Sequence, residues 1–244
     1  MDSKCKYFGI ITARAGSKGV PHKNMQIIGT KPMIQYTFEA ALGAEKLEYF
    51  ILSTNDQQVI ELAGKFNIPV PFIRSELLST DNTPTKDVLN HSLEWYKNEY
   101  NHYPENIFLL QPTSPFRTAV DIDNAITTYE KSNKESLISA CLVSQHPSDC
   151  FTINPDTTLN FINIEKTNTT IGRQSYKKAY FIDGAIYISK TKRFIEQQTL
   201  FDQHSAIHVL PKSHSIDIDD YYDLYIARAV KFYSENTEEN IFNY

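Results

Sequence analysis

The chain is poor in cysteine. Its 244 residues hold three, Cys5, Cys141 and Cys150, an odd number with no C-x-x-C spacing. Neither a disulfide framework nor a zinc cage is expected from such a set, which suits a reducing compartment. A basic excess is also missing, since 24 Lys and Arg stand against 29 Asp and Glu, a formal net charge of −5. Without it a chain is poorly suited to neutralise a run of phosphates, so nucleic acid is not expected as the main partner. With 8 Gly and 11 Pro, collagen-like and low-complexity character are excluded. No segment approaches the roughly 20 apolar residues needed to span a bilayer. The apolar stretch near the start, about five residues long, is too short for the core of a signal peptide. A soluble, cytoplasmic protein is the expectation. Seven histidines are scattered without the H-E-x-x-H signature of a zinc hydrolase, and no G-x-S-x-G elbow occurs.

What is present is an alternation of short apolar runs with helical patterns. Buried strands are predicted at 7–12 (YFGIIT), 49–53 (YFILS), 69–73, 107–110 (IFLL) and 137–143. Helices are predicted at 33–42, after a cap at Asn55 or Asp56, after Thr83 with Pro84 at the first helical position, and at 120–129. This rhythm predicts an α/β fold with a mostly parallel, doubly wound sheet, in which ligands bind at the carboxyl ends of the strands. The rhythm breaks near residue 145. Residues 144–203 are polar and rich in Asn and Thr, with one strong strand at 185–188, and read as an inserted subdomain. Residues 204–244 return to the main domain begun by 1–143, with a strand at 207–210 and a last helix at 221–233.

Four motifs could carry chemistry. The segment 12–24 (TARAGSKGVPHKN) follows the first strand and holds Arg14, Lys18 and Lys23, the hydroxyl of Ser17, and two glycines, Gly16 and Gly19, that allow close backbone approach. It suits a polyphosphate, although it is neither a Walker A nor a G-x-G-x-x-G motif. In 215–220 (SIDIDD), Asp217 and Asp219 alternate along an extended segment and face the same way. Two such carboxylates call for a cation, and hard oxygen ligands suit Mg²⁺ shared with phosphates. Gln111, in 111–117 (QPTSPFR), sits at the end of a buried strand, and Arg173 and Gln174 precede an alternating apolar run. The residues by themselves leave plainer alternatives open: a solvated basic loop, an acidic turn capping the last helix, a proline-terminated loop with Arg117 on the surface, and a hairpin arm.

In order and spacing, ARAGSKGVPHKN, RSELLSTDNTPT (74–85), QPTSPFR, RQ (173–174), DGAIYI (183–188) and SIDID resemble the nonulosonic acid cytidylyltransferase family, the CMP-N-acetylneuraminate (CMP-sialic acid) synthetases and their relatives. The resemblance runs from about Tyr7 to Tyr233. It implies a Rossmann-like nucleotide-binding domain, an inserted dimerisation subdomain over 144–203, a homodimer and a Mg²⁺-dependent reaction. CTP and a nine-carbon 2-keto sugar acid would give the CMP-sugar and pyrophosphate, the anomeric hydroxyl attacking the α-phosphate. Carried over by position, Arg14, Ser17, Lys23 and Asn24 hold the CTP phosphates and ribose. Arg74, Thr83 and Thr85 read cytosine. Gln111 lies between nucleotide and sugar, and Arg173 holds the sugar carboxylate. Tyr187, Leu200 and Phe201 line the sugar pocket, with the partner subunit, and Asp217 and Asp219 hold Mg²⁺. Arg14, Lys23, Gln111, Asp217 and Asp219 form the catalytic set.

Family members acting on sialic acid often carry a lysine soon after an HP pair in the insert, whereas this chain reads His146-Pro147-Ser148-Asp149-Cys150. Sialic and legionaminic acids are the leading substrates, with pseudaminic acid and keto-deoxy-octulosonate as alternatives. Synthetases for the latter usually read K-P where this chain has Lys23-Asn24. Sugar-1-phosphate nucleotidyltransferases open with G-G-x-G-T-R, absent here. A non-catalytic nucleotide-binding module is disfavoured because the charged residues of every motif are present. No appended phosphatase domain is expected.

Overall fold

The computed structural model describes residues 5–162 and 177–237. Strand β1 (Tyr7–Ala13) is the apolar run expected near the start. Its side chains alternate between two cores. Tyr7, Ile11 and Ala13 join one cluster, while Phe8 and Ile10 join another on the opposite face of the sheet. Fully burying each such apolar side chain stabilises the fold by roughly 1.5–3 kcal/mol.

A two-stranded ribbon, β2 (Ile27–Ile28) and β3 (Lys31–Pro32), leads into α1 (Met33–Gly43). Then come β4 (Tyr49–Thr54), α2 (Gln57–Lys65), α3 (Thr85–Tyr100), β5 (Asn106–Leu110), α4 (Ala119–Ser132) and β6 (Ser136–Leu142). A small hairpin of β7 (Phe151–Ile153) and β8 (Leu159–Phe161) is followed by β9 (Tyr180–Lys190), α5 (Thr191–Gln197), β10 (Ala206–Val209) and α6 (Tyr221–Asn236). The main sheet has the order β10-β6-β9-β5-β1-β4. Five strands run parallel, and β9 runs against both of its neighbours. The first core packs α1, α2 and α4 on one face, while the second packs α3 and α5 on the other. The doubly wound, mostly parallel α/β fold is the expected one.

Three local expectations are corrected. Residues 69–73 form no strand; they run beside β4 through a single bridge, Thr54 to Ile73, and a hydrogen bond from Leu52 N to Pro69 O (2.9 Å). Pro69 and Pro71 lack the N–H groups that a ladder needs. Thr83 does not cap α3. Pro84 holds the cap position, and the Thr83 hydroxyl donates to Leu77 O at 3.2 Å. The strand expected at 185–188 belongs to the main sheet. Of the segment 144–203, therefore, β9 and α5 are built into the principal core, and only the β7–β8 hairpin forms a sheet of its own.

Asp56, rather than Asn55, caps α2, accepting from Gln58 N and Val59 N. A capping box of Thr118 and Asp121 starts α4, and one of Asp220 and Asp223 starts α6. Among the described residues, no helix is long and apolar enough to cross a membrane.

Candidate active site

A third core, smaller than the two beneath the sheet, sets up the site. It joins Val20 of the basic loop, Phe116 of the QPTSPFR loop and Ile218 of the acidic segment with Ile28, Met33, Leu224 and Ala227. Three polar motifs are thus nailed together by the apolar residue each one contains. Ile218 N also donates to Thr113 O at 2.9 Å. With Ile218 buried, its neighbours differ: Asp217 is half-buried, whereas the Asp219 side chain is 81% exposed.

The basic and acidic segments touch directly. Lys23 Nζ donates to Ile218 O at 2.8 Å and lies 3.3 Å from Asp219 Oδ1. At Gly19, a Cβ atom would lie 2.3 Å from the Asp219 carbonyl oxygen. The sequence suggested that Gly19 lets a ligand approach; in the structure it admits the protein's own acidic segment. Gly16 has φ +73° and open space around it, consistent with a loop whose backbone faces outward.

Beyond the carboxyl ends of β1 and β5 lies a cavity of about 200 Å³. It is lined by Arg14, Ser17, Lys23, Asn24, Arg74, Thr83, Thr85 and Gln111. All seven residues expected to meet the nucleotide are brought together there, with Gln111. Arg74 is buried and donates to Ala13 O (3.1 Å) and Ser79 Oγ (3.0 Å), both neutral. Burial, and to a lesser degree the Arg14 cation, pull its pKa down to about 10, so it remains charged at neutral pH. A buried cation with neutral partners is primed for a further acceptor.

Sequence reasoning missed Asp81, which also lines this cavity. Its carboxylate lies 2.5 Å from Arg14 Nη2 and 3.0 Å from Lys18 Nζ. Those bonds, Lys18's first, hold its pKa below the usual carboxylate range. Asp81 stands within the RSELLSTDNTPT motif, and an aspartate in that motif was the available signal.

A second cavity, of about 240 Å³, adjoins the first and shares Thr85 and Gln111 with it. Tyr187, Leu200 and Phe201, the three residues assigned by resemblance to a sugar pocket, line it together with Lys86, Leu89, Gln198 and Thr199. The Tyr187 and Phe201 rings lie 6.0 Å apart at a 32° tilt. Gln111 therefore sits at the junction of two cavities, one lined by the cations Arg14, Lys23 and Arg74, the other by a mixture of apolar side chains with Lys86, Gln198 and Thr199. Arg173 and Gln174 lie outside the described residues.

Behind Gln111 the β6–β9 ladder slips between Ile138 and Ala140. Asp183, fully buried, fills the irregularity. It accepts from Ser139 Oγ, from Ala185 N (3.0 Å) and from Ser215 Oγ (3.0 Å). Gly184 follows at φ +74°, and a Cβ there would meet Gln111 Oε1 at 3.2 Å and Asp217 Oδ2 at 3.5 Å. The DG pair of the DGAIYI motif thus creates room for a carboxamide and a carboxylate oxygen to approach the same spot. Arg117, expected on the surface in the plainer reading, is wholly buried. It donates to Ala185 O (2.6 Å), Gln111 O (3.3 Å) and Thr37 Oγ1 (2.9 Å), binding the end of β5 to β9 and α1. Burial lowers its pKa to about 10.

The Asp217 carboxyl pKa is raised, first by burial and also by Asp219, against the opposing influences of Thr113 and Lys23. Its Oδ1 is buried without a hydrogen-bond partner among the described residues. An orphan carboxylate oxygen in a desolvated place is costly to a fold unless something binds it. A hard divalent cation fits this donor. Among the described residues, no group of three or more His, Cys, Asp or Glu gathers as a cage, so such a cation would be shared with substrate oxygens.

A family model described as Cytidylyltransferase matches residues 8–242. The N-acylneuraminate cytidylyltransferase of Escherichia coli O18:K1:H7 is 31% identical over 229 residues, covering 93% of this chain and 52% of that protein. The CMP-N,N'-diacetyllegionaminic acid synthase of Legionella pneumophila is 32% identical, with 88% of this chain and 91% of that one aligned. The pseudaminic acid cytidylyltransferase of Campylobacter jejuni is 30% identical over 91% of this chain and 94% of its own length. The chain thus spans about half of the E. coli protein and nearly all of the other two. Among solved structures, a CMP:2-keto-3-deoxy-manno-octonic acid synthetase complexed with CTP aligns with a TM-score of 0.65 at 16% identity, over 92% of this chain and 98% of that one. It shares the fold. A polar cavity at the strand ends, a match along nearly the whole length and relatives above 30% identity agree, and the chain belongs to the cytidylyltransferase family.

Proposed function

We propose that this protein transfers the cytidylyl group of CTP to a nine-carbon 2-keto sugar acid, of the N-acylneuraminate or legionaminate type, releasing pyrophosphate. The observation that carries this reading is the pair of cavities meeting at Gln111 and Thr85. The cationic one suits a triphosphate and a small base. The mixed one, where Tyr187, Leu200 and Phe201 stand beside Lys86 and Gln198, suits the acylated end of a sugar acid. The relatives named for sialic, legionaminic and pseudaminic acids support the substrate class.

In this reading the anomeric hydroxyl releases its proton to solvent and its oxygen forms a bond to the α-phosphorus, the bond from that phosphorus to the bridging oxygen breaks, and pyrophosphate leaves with the electron pair. Such transfer needs positioning and charge neutralisation above all. Arg14, Lys23 and the amides around Ser17 neutralise the phosphates, and Asn24 meets the ribose. Arg74, Thr83 and Thr85 read the base. Gln111 orients the sugar against the α-phosphate. Asp217, with Asp219, would hold Mg²⁺, whose chemistry there is to stabilise the leaving pyrophosphate and to lower the pKa of the attacking hydroxyl. Arg173 is the proposed partner of the sugar carboxylate.

We place the enzyme in the cytoplasm and as a homodimer. Apolar side chains exposed on the β7–β8 hairpin and at the start of β9, among them Phe151, Ile153, Leu159 and Phe181, supply the face for a second copy. Light scattering tests this, and a monomer refutes it.

The deciding assay is pyrophosphate release with CTP and Mg²⁺ against N-acetylneuraminic, diacetyllegionaminic, pseudaminic and keto-deoxy-octulosonic acids. Turnover with one nine-carbon acid supports the reading and names the substrate. Folded protein that binds CTP yet stays silent with all four overturns it.

A further inference from the structure

The wall of the second cavity is irregular chain, and one buried side chain dictates its shape. Leu200 and Phe201 lie on the stretch that follows α5, beginning at Gln198 with φ +53°. Arg193, on α5, is 4% exposed. Its Nη1 donates to Thr199 O at 2.9 Å and reaches Ser189 Oγ at 3.4 Å, while Nη2 donates to Asp202 Oδ2 at 2.8 Å. Thr199 and Asp202 are the residues on either side of the Leu200–Phe201 pair. The guanidinium thus grips the loop just before and just after the two side chains that face the cavity.

The grip is reinforced outward. Asp202 Oδ1 accepts from His204 N at 2.7 Å, and Asp202 N donates to Ser205 Oγ at 2.9 Å. On the other side, Asn90 Nδ2 donates to Gln198 Oε1 at 2.7 Å, tying the loop to α3. A guanidinium offers donors in a rigid fork, so it holds two acceptors at a fixed spacing. An ammonium in its place is one point on a flexible stem and does not fix that spacing.

We propose that Arg193 is a positioning residue. By bracing Thr199 and Asp202 it fixes the depth of the cavity walled by Leu200 and Phe201, and so sets which acyl substituent of the sugar acid is accepted. The inference rests on that cavity being the sugar subsite. Arg193 touches no substrate in this scheme, and its influence passes wholly through the loop.

The test measures KM for the sugar acid and for CTP separately, with thermal melts, in Arg193→Lys and Asp202→Asn. For Arg193→Lys, the sugar-acid KM should rise about tenfold or more, with the CTP KM within about twofold. The ratio of kcat/KM between two acids that differ only in their acylamino groups should fall. Asp202→Asn, which keeps an acceptor oxygen but not the charge, should shift the same quantities less. Lowered stability without this split is the signature of a merely structural brace and overturns the proposal. If Arg193→Lys fails to fold, Asp202→Asn decides alone, and an unchanged sugar-acid KM overturns it. Leu200→Ala separates the two levels of inference. If it leaves the sugar-acid KM unchanged, the subsite reading falls and the proposal with it. If it raises KM while the two brace variants do not, the subsite stands and only the brace is refuted.

Discussion

Replacing Gly19 with alanine adds one methyl group at the joint between the basic loop and the acidic segment. The new Cβ would lie 2.3 Å from the Asp219 carbonyl oxygen and 3.4 Å from its carbon. Unbonded carbon and oxygen rest at about 3.3–3.6 Å and a Cβ essentially never comes under 3.0 Å, so one segment must give way by most of an ångström. Both neighbouring atoms are backbone, and the acidic segment is pinned by Ile218 in the third core and by its bond to Thr113 O. Overpacking of this kind costs about 1–3 kcal/mol, which for a chain of this size lowers Tm by about 5 °C. The chemical effect should be larger. Lys23 holds Ile218 O at 2.8 Å, so the same shift moves a cation proposed to bind phosphate together with the carboxylates proposed to hold the metal. A misplacement near 1 Å can cost about a hundredfold in rate. Melting curves and pyrophosphate-release kinetics on Gly19→Ala should therefore show a modest fall in Tm and a fall of about a hundredfold in kcat/KM. Two controls calibrate the result. Gly16→Ala meets no atom within 4 Å and suffers only the strain of φ +73°, about 1 kcal/mol. Gly64→Ala, on α2 with nothing within 4 Å, should gain about 0.5–1 kcal/mol. Wild-type kinetics and melting in Gly19→Ala would refute the packing of the two motifs against each other.

Asp217→Asn should melt at or above the wild type without metal, by about 1 kcal/mol, because it removes a charge with an orphan buried oxygen. Adding Mg²⁺ should then raise the Tm of the wild type alone, and equal shifts in both would count against Asp217 as a ligand. Arg117→Met strands the acceptors Ala185 O, Gln111 O and Thr37 Oγ1; urea unfolding should show a loss of about 3 kcal/mol, and a loss under about 1 kcal/mol would show that the brace is dispensable. Burial pushes the Asp121 carboxyl up, yet hydrogen bonds from His214 and Thr118 outweigh it and hold the pKa below the usual carboxylate range. A depressed carboxyl adds stability above its unfolded pKa that disappears as pH falls through the folded one. Urea midpoints below about pH 4 should accordingly drop more steeply in the wild type than in Asp121→Asn, and parallel curves would refute the linkage.

The sheet was legible because its signal is local. A run such as YFGIIT must bury both faces, and only a covered strand allows that. The cavity lining was legible because its residues cluster in a few short motifs, and Arg14, Lys23, Arg74 and Gln111, proposed to meet the substrates, do line one cavity. What escaped was long-range. Nothing local says that β9 runs backwards between β5 and β6, since strand direction is decided by where the chain has come from. Arg117 looked like a surface residue because an arginine's burial depends on acceptors far off in sequence: Ala185 and Thr37 stand 68 and 80 residues away. Asp81 was passed over for a similar reason, as its partners Arg14 and Lys18 belong to a loop more than 60 residues earlier. Gly19 was read as serving a ligand because the segment that fills its space lies at the other end of the chain.

The reversed strand at the centre of the sheet bears on how the chain is made. β5 and β6 are complete once residue 142 has been synthesised, but they are not neighbours. The gap between them is filled by β9, which arrives after the excursion over 143–179. Until it arrives, a nascent chain carries two bare strand edges flanking an open slot, each with unpaired N–H and C=O groups that invite pairing with other chains. The fold therefore closes from the middle and late, and β10 adds to the outer edge of β6 afterwards. Fragments ending before Tyr180 should aggregate, whereas the chain carrying β9 can join β6 to the rest of its sheet.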